Sequence, residues 1–170
     1  MPNILFVCTA NLYRSPLAAA FFSRKLLLEG ESSHWIVESA GTWAVPGQHV
    51  SLGLLKSASE LDIDLQGHLT QQVNRNLLAG FDLVVVMEKG HREALGIEFP
   101  FIREKVHLLS ELADHLEYDI ADPENSGLNV EATAEEMRKL IDRAYPTICR
   151  LAQAREISRS RSGRHVNYTL

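Results

Sequence analysis

The residues best suited to chemistry lie near the N-terminus, in the stretch VCTANLYRSP at positions 7–16. Cys8 is one of only two cysteines, and Arg14 follows it after five intervening residues, with Ser15 and Pro16 next. A thiolate is a strong nucleophile, and a guanidinium presents a planar fork of donors that matches phosphate. This spacing predicts a loop that binds a phosphate ester and attacks it with the same few residues.

The elements on either side of this loop support the prediction. Residues 4–7 form an apolar run typical of a buried strand, and Ser15 and Pro16 suit the N-cap and first position of a helix over residues 17–29. Ligands bind at the carboxyl ends of parallel strands, and the amides of a helix N-terminus attract anions. The same field favours the thiolate form of Cys8.

A structural cysteine beside an unrelated surface arginine is the alternative interpretation of this spacing. The preceding strand and the following helix start argue against it. The stretch also lacks the glycines and the Gly-Lys-Ser/Thr ending of a nucleotide-binding loop.

The rest of the chain alternates between strand and helix patterns. Strands are predicted over residues 35–38, 82–87 and 105–109, and helices over 51–61, over 70–80 with Thr70 as cap, around Ala94 and Leu95, and from a capping box at 133–136, with a kink at Pro146. Residues 115–129 are polar and predict a loop. This alternation predicts an α/β fold with a parallel sheet.

Composition narrows the class of protein. The chain has 170 residues, 45% of them hydrophobic, which suits one globular domain, and its net charge of −5 argues against a nucleic-acid partner. Two cysteines make no disulfide framework and fit a reducing compartment. Neither a signal peptide nor a membrane-spanning run is recognisable, so we expect a cytoplasmic protein with no membrane partner.

The C-terminal residues differ in composition from the rest. Residues 156–170 are rich in arginine and serine and predict a flexible tail behind a domain that spans residues 1–155. Binding to an acidic partner is the alternative for this tail, and Tyr168 is a possible phosphorylation site.

The stretch VCTANLYRSP resembles the Cys-x5-Arg-Ser signature of the low-molecular-weight protein tyrosine phosphatases. Further similar segments follow in that family's order: SAGTWAVPG at 39–47, GH at 67–68, FDLVVVME at 81–88 and YDIADP at 118–123. The resemblance implies a three-layer α/β/α sandwich with a four-stranded parallel sheet in the flavodoxin-like order 2-1-3-4.

The resemblance also implies the catalytic roles. Cys8 would be the nucleophile, Arg14 the clamp on the phosphoryl oxygens, and Ser15 the hydrogen-bond partner of the sulfur. Asp122, before Pro123, would be the general acid, which the reaction needs because the phenol leaving group has a pKa of about 10. No cofactor or metal is implied.

Supporting and binding residues follow from the same resemblance. Asn11 would hold a strained turn through Ser39 and His68. Thr9, Ala10, Leu12 and Tyr13 would line the phosphate site with Asn11, and Trp43 would wall the substrate slot or serve as an ordinary core or loop anchor.

The chain departs from the family pattern at several positions. Ala10 stands where the family usually has glycine, Tyr13 where it often has a second cysteine, and Glu124 where it commonly has an aromatic residue. Cys149 is predicted to be a buried core residue, so we expect no protective disulfide with Cys8.

The predicted function is hydrolysis of phosphotyrosine in proteins through a cysteinyl-phosphate intermediate, by a monomer that inorganic phosphate inhibits as product. Three alternatives stay open: arsenate reduction with an external thiol, hydrolysis of non-protein phosphomonoesters, and phosphotyrosine binding with weak catalysis.

Overall fold

The computed structural model describes residues 1–123, 127 and 129–162. The strands are β1 (Asn3–Cys8), β2 (Ile36–Gly41), β3 (Leu83–Val86) and β4 (Val106–Leu108). The helices are α1 (Arg14–Leu28), α2 (Leu52–Glu60), α3 (Arg75–Gly80), α4 (Lys89–Glu98), α5 (Leu109–Asp114) and α6 (Val130–Ser162), with 3-10 turns at Ser32–His34 and Pro100–Lys105.

The four strands form one parallel sheet in the order β2-β1-β3-β4. This confirms the predicted α/β fold and strand order. Cys8 pairs with Gly41, and Val7 pairs with Val86, so β1, β2 and β3 end at the same edge of the sheet. Parallel sheets present their ligand sites at this carboxyl edge.

The sheet separates two hydrophobic clusters, because successive side chains of a strand point to opposite faces. Ile4, Phe6 and Cys8 face the cluster that includes α1, α2, α5 and α6. Leu5 and Val7 face the smaller cluster that includes α3 and α4. The resulting helix–sheet–helix layering fixes the loop between β1 and α1 at the carboxyl edge.

Three predicted helix starts are wrong. Helix α1 begins at Arg14, one residue before the predicted cap Ser15. Thr70 caps no helix: its hydroxyl donates to the Val45 carbonyl, and α3 begins later, behind Asn74. The Ser15 and Thr70 hydroxyls, which local pattern assigns to caps, have tertiary hydrogen bonds instead.

Helix α6 also begins earlier than its predicted capping box at 133–136. It starts at Val130, where the Asn129 side chain accepts a hydrogen bond from the Ala132 N–H at 2.6 Å. The helix continues through Pro146 to Ser162, so residues 156–162 of the predicted tail are helical. Residues 163–170, including Tyr168, lie outside the described residues.

The helical part of the predicted tail contacts the beginning of the sheet. Arg159 lies 3.3 Å from the buried Asp82 carboxylate, and Glu156 lies 3.3 Å from the N-terminal amine. Within the described ranges, no helix is both long and apolar enough to cross a membrane.

Candidate active site

The sulfur of Cys8 lies at the end of β1, in the turn that leads into α1. The residue is 2% exposed. Its Sγ is 3.0 Å from the Ser15 hydroxyl oxygen, and the Asn11 N–H donates to it at 3.3 Å. Ser15 lies in the first turn of α1 and Asn11 in the turn before it, where the helix dipole adds partial positive charge. The sulfur therefore lies where negative charge is favoured.

Ser15 can follow the charge on that sulfur. Its hydroxyl also contacts the Ala40 carbonyl at 3.2 Å and accepts a hydrogen bond from Asn11 at 2.9 Å. A thiolate only accepts, so it draws the single Ser15 proton toward itself. When the sulfur is protonated or phosphorylated, the Ser15 hydroxyl can instead donate its hydrogen bond to the Ala40 carbonyl. The Ser15 hydroxyl therefore has a hydrogen-bond partner whether or not the sulfur carries a charge.

Asn11 connects the loop to its surroundings. Its side-chain amide donates to Ser15 and to Ser39, both at 2.9 Å, and its Oδ1 accepts from the Gln71 N–H at 3.0 Å. The residue is fully buried, and its φ is 58°, in the left-handed region that asparagine tolerates better than most residues. These contacts hold a turn that a bulky side chain would not adopt.

His68 supports the same turn from outside. Its Nε2 is 2.8 Å from the Asn11 carbonyl oxygen, so Nε2–H donates. Burial lowers the pKa of His68, the hydrogen bond to the Asn11 carbonyl raises it by less, and the nearby His49 has the smallest effect and lowers it. The imidazole is therefore neutral near pH 7. The structure brings Asn11, Ser39 and His68 together.

Gly41 forms the floor of the loop. A Cβ on this residue would lie 2.4 Å from the Thr9 carbonyl oxygen and 2.8 Å from the Ala44 Cβ. Its N–H donates to the Gln71 carbonyl, and its own carbonyl accepts from Val73. The close approach explains why the strand next to β1 ends in glycine.

Arg14 is buried, and its guanidinium reaches across the loop. Nη1 donates to the Glu88 carboxylate and to the Ile120 carbonyl at 2.7 Å. Nη2 donates to Asp122 at 2.6 Å and to the Thr9 hydroxyl at 3.4 Å. The predicted clamp and the predicted general acid are therefore in direct contact.

The backbone before Asp122 is anchored to the end of β3. The Ile120 N–H donates to the Met87 carbonyl at 2.9 Å, and the Asp119 carboxylate accepts from the Lys89 N–H at 2.7 Å. Asp119 thereby occupies the N-terminus of α4, where a carboxylate is favoured. These bonds bring a segment distant in sequence to the loop that contains Cys8.

Two residues of this site were missed by sequence reasoning. Glu88 holds Arg14, and the buried His91 lies with its Nε2 2.9 Å from the Thr9 hydroxyl. Glu88 directly follows the β3 region at the carboxyl edge of the sheet, which was a usable signal. Nothing in the sequence distinguished His91 from a surface histidine.

The residues expected to line the substrate slot are exposed or only half-buried. Trp43 is 81% exposed, so it is not a core residue. Its backbone N–H donates to the Thr9 carbonyl at 2.9 Å. Leu12 and Tyr13 are half-buried. Ala10 is half-buried too and lies outside the left-handed region, because the described non-glycine residues with positive φ are Asn11, Asp62 and His115. The loop therefore requires no glycine conformation at Ala10, whereas Glu124, Asn125 and Ser126 lie outside the described residues.

The prediction that Cys149 is a buried core residue is wrong. Cys149 is half-buried and packs against the edge of the core. Burial raises the pKa of Cys149 to about 11, with further raising by Glu29 and Glu31. Neither cysteine forms a disulfide. The described side chains contain no cluster of three or more His, Cys, Asp or Glu that could hold a metal ion.

The chain is similar to known phosphatases over most of its length. It is 33% identical over 142 residues to a protein-arginine-phosphatase of Geobacillus stearothermophilus, covering 83% of this chain and 92% of that protein. It is 36% identical over 121 residues to the low molecular weight protein-tyrosine-phosphatase Wzb of Escherichia coli K12, covering 71% and 77%.

Solved structures show the same similarity. The low molecular weight protein tyrosine phosphatase from T. tengcongensis superposes with a TM-score of 0.77 at 32% identity, covering 86% of this chain and 99% of that one. A model of the low molecular weight phosphotyrosine protein phosphatases matches residues 3–160. The chain belongs to the low molecular weight phosphotyrosine protein phosphatase family.

Proposed function

We propose that this chain hydrolyses phosphotyrosine in proteins, with Cys8 as nucleophile, Arg14 as phosphate clamp and Asp122 as general acid. One observation carries the proposal: the buried Cys8 sulfur accepts hydrogen bonds from the loop while Arg14 is in contact with Asp122 at 2.6 Å. A phosphate bound by Arg14 and the loop amides then lies between nucleophile and acid.

The reaction proceeds in two displacements at phosphorus. The Cys8 thiolate attacks, the bond from phosphorus to the tyrosine oxygen breaks, and Asp122 gives its proton to the leaving phenolate. Water then attacks the cysteinyl phosphate, Asp122 takes a proton from that water, and the sulfur leaves as a thiolate. Ser15 supports the sulfur in both steps through its hydroxyl.

The remaining loop residues complete the phosphate site. The backbone of Thr9, Ala10, Leu12 and Tyr13 surrounds the phosphoryl oxygens together with Asn11, whose own N–H already contacts the sulfur. Ser39 and His68 hold Asn11 in place through hydrogen bonds. Trp43, exposed at the rim, supplies an apolar face for the aromatic ring of the substrate.

Phosphoarginine is a second candidate substrate, because two similar proteins, at 33% and 31% identity, are named protein-arginine-phosphatases. The phosphorus chemistry would be the same, with a guanidine in place of the phenol. The half-buried Leu12 favours an aromatic ring, whereas the exposed indole of Trp43 can stack on an aromatic ring or on a guanidinium.

Arsenate reduction is less well supported. An internal relay needs a second thiol that ionises easily, and burial raises the pKa of Cys149 to about 11.

The proposal further includes a cytoplasmic monomer inhibited by its product, inorganic phosphate. The two unpaired cysteines favour the reducing compartment.

The test is to assay matched peptides that contain phosphotyrosine, phosphoserine or phosphoarginine with the wild type and with Asp122→Ala. We expect kcat/KM to be at least about a hundredfold higher for phosphotyrosine than for the other two peptides. We also expect acid-quenched Asp122→Ala to carry phosphate on Cys8 in mass spectra when it is given an aryl phosphate whose leaving group departs without protonation. A preference for phosphoarginine would replace the substrate assignment. Absence of both turnover and phosphorylated Cys8 would refute the phosphatase itself.

A further inference from the structure

His91 is a buried histidine for which the proposed reaction has no use. It lies in the first turn of α4, and it is 6% exposed. Its Nε2 is 2.9 Å from the Thr9 hydroxyl oxygen, in the loop that binds phosphate. The contact joins α4 to the active-site loop across 82 residues of sequence.

The Thr9 hydroxyl is shared between two neighbours. Arg14 donates to its oxygen from Nη2 at 3.4 Å, on the same atom that His91 contacts. Among the described residues, the Nδ1 of His91 is buried and has no hydrogen-bond partner. A proton on Nδ1 would therefore be a buried, unpaired donor, which proteins avoid. The tautomer with the proton on Nε2 satisfies Thr9 and leaves only a lone pair unpaired.

The charges around the ring are mixed. Glu88 lies 3.8 Å from Nε2 at the beginning of the same helix, Arg14 approaches from α1, and Asp119 and Asp122 approach from the loop before α6. Burial lowers the pKa of His91, and Arg14 lowers it further, against the raising effect of the three carboxylates. The ring is neutral near pH 7, as the Nε2–H tautomer requires.

We propose that His91 is a positioning residue for phosphate binding: its Nε2–H holds the Thr9 hydroxyl against Arg14. The Thr9 oxygen then accepts from both neighbours, so its own proton points away from both and is free to donate to a phosphoryl oxygen. This inference rests on the proposed function, because it assigns His91 a role in binding the phosphoryl group of that substrate.

Two isosteres separate positioning from packing. The side-chain amide of His91→Gln places an N–H near the Nε2 position, whereas that of His91→Asn ends near Nδ1 and cannot reach Thr9. We expect His91→Asn to lower kcat/KM for an aryl phosphate about five- to tenfold and to weaken inhibition by inorganic phosphate equally. His91→Gln should recover most of both. Equal losses in the two variants, or no loss in either, would overturn the proposal.

A double-mutant cycle tests the path through Thr9. Thr9→Val removes the hydroxyl, so adding His91→Asn should then change kcat/KM and phosphate inhibition less than twofold. Additive effects would show that His91 acts by another route. His107→Asn is the matched control, since His107 is a half-buried histidine far from Thr9 in sequence, and its Nε2 has no partner in the described part of the chain.

Alkylation of Cys8 provides a readout that needs no turnover. We expect iodoacetamide to modify Cys8 at the same rate in wild type and His91→Asn, because the sulfur keeps its bonds to Ser15 and Asn11. Inorganic phosphate should protect His91→Asn about five- to tenfold less well. Should the wild type hydrolyse no ester, this protection still decides the role of His91, and unchanged protection would refute it.

Discussion

Cys8 and Cys149 both carry an unpaired thiol, and their surroundings differ in kind. The sulfur of Cys8 is almost fully buried yet faces hydrogen-bond donors at a helix N-terminus. Cys149 is half-exposed in the middle of α6, beside Tyr145 and the carboxylates of Glu29 and Glu31. Exposure alone would rank Cys149 as the more reactive thiol. Burial and the carboxylates of Glu29 and Glu31 raise the pKa of Cys149, whereas hydrogen-bond donors contact the sulfur of Cys8, and this reverses that ranking.

Exchanging each sulfur for oxygen gives the largest contrast. We expect Cys8→Ser to lower kcat for an aryl phosphate by more than about a thousandfold, because the hydroxyl is a far weaker nucleophile. Cys149→Ser should stay within about twofold of wild type. Steady-state assays on both variants, with melting temperatures as a folding control, measure the contrast, and comparable losses in the two would remove it.

Oxidation by peroxide tests the same contrast without mutation. Tyr13 stands where a second loop cysteine would lie, and burial, together with the nearby carboxylates, disfavours the thiolate of Cys149. We expect Cys8 to pass through sulfenic acid to sulfinic acid, with activity that a thiol reductant does not restore. Mass spectrometry of the treated protein identifies the products, and a Cys8–Cys149 disulfide would contradict the expectation.

Removing the asparagine behind Cys8 should have a smaller effect. Asn11→Ala deletes three side-chain hydrogen bonds, to Ser15, Ser39 and Gln71, and places alanine at positive φ. We expect kcat/KM to fall about ten- to a hundredfold. The matched control is Asn74→Ala, which removes only the cap of α3 and should lower the free energy of unfolding by about 1 kcal/mol with activity retained.

The smallest effect concerns the alkaline stability set by Cys149. Its pKa is raised in the folded state to about 11, whereas an unfolded cysteine has a pKa of about 8.5. Between these values the unfolded state loses the proton first, so the free energy of unfolding decreases as pH rises from about 9 to 11. Urea denaturation should show a shallower decrease for Cys149→Ala, and identical slopes would argue against the raised pKa.

Strand β1 and the turn that leads from it into α1 could be predicted because their signals are local. The apolar run before Cys8 and the Ser-Pro after Arg14 mark the end of a strand and the start of a helix within one short segment. The predicted helix caps at Ser15 and Thr70 were wrong for a physical reason. Local pattern shows that Ser15 and Thr70 suit a helix N-terminus, but it cannot show the sulfur and the carbonyl that these hydroxyls bind.

The same limit applies to the site. Glu88 and His91 contact Arg14 and Thr9 only because β1 and β3 are neighbours in the sheet. The order of the strands in the sheet was predicted from the family resemblance and not from the residues themselves. The open position of Trp43 likewise depends on a loop whose path no periodicity describes.

The backbone of Gln71 is held on both sides, by the Asn11 side chain at its N–H and by Gly41 at its carbonyl. It belongs to residues 62–74, which contain no helix and only one isolated bridge. Warming should detach this segment before the sheet melts. The protein would then lose activity while its far-UV circular dichroism stays unchanged, and the activity would return on cooling.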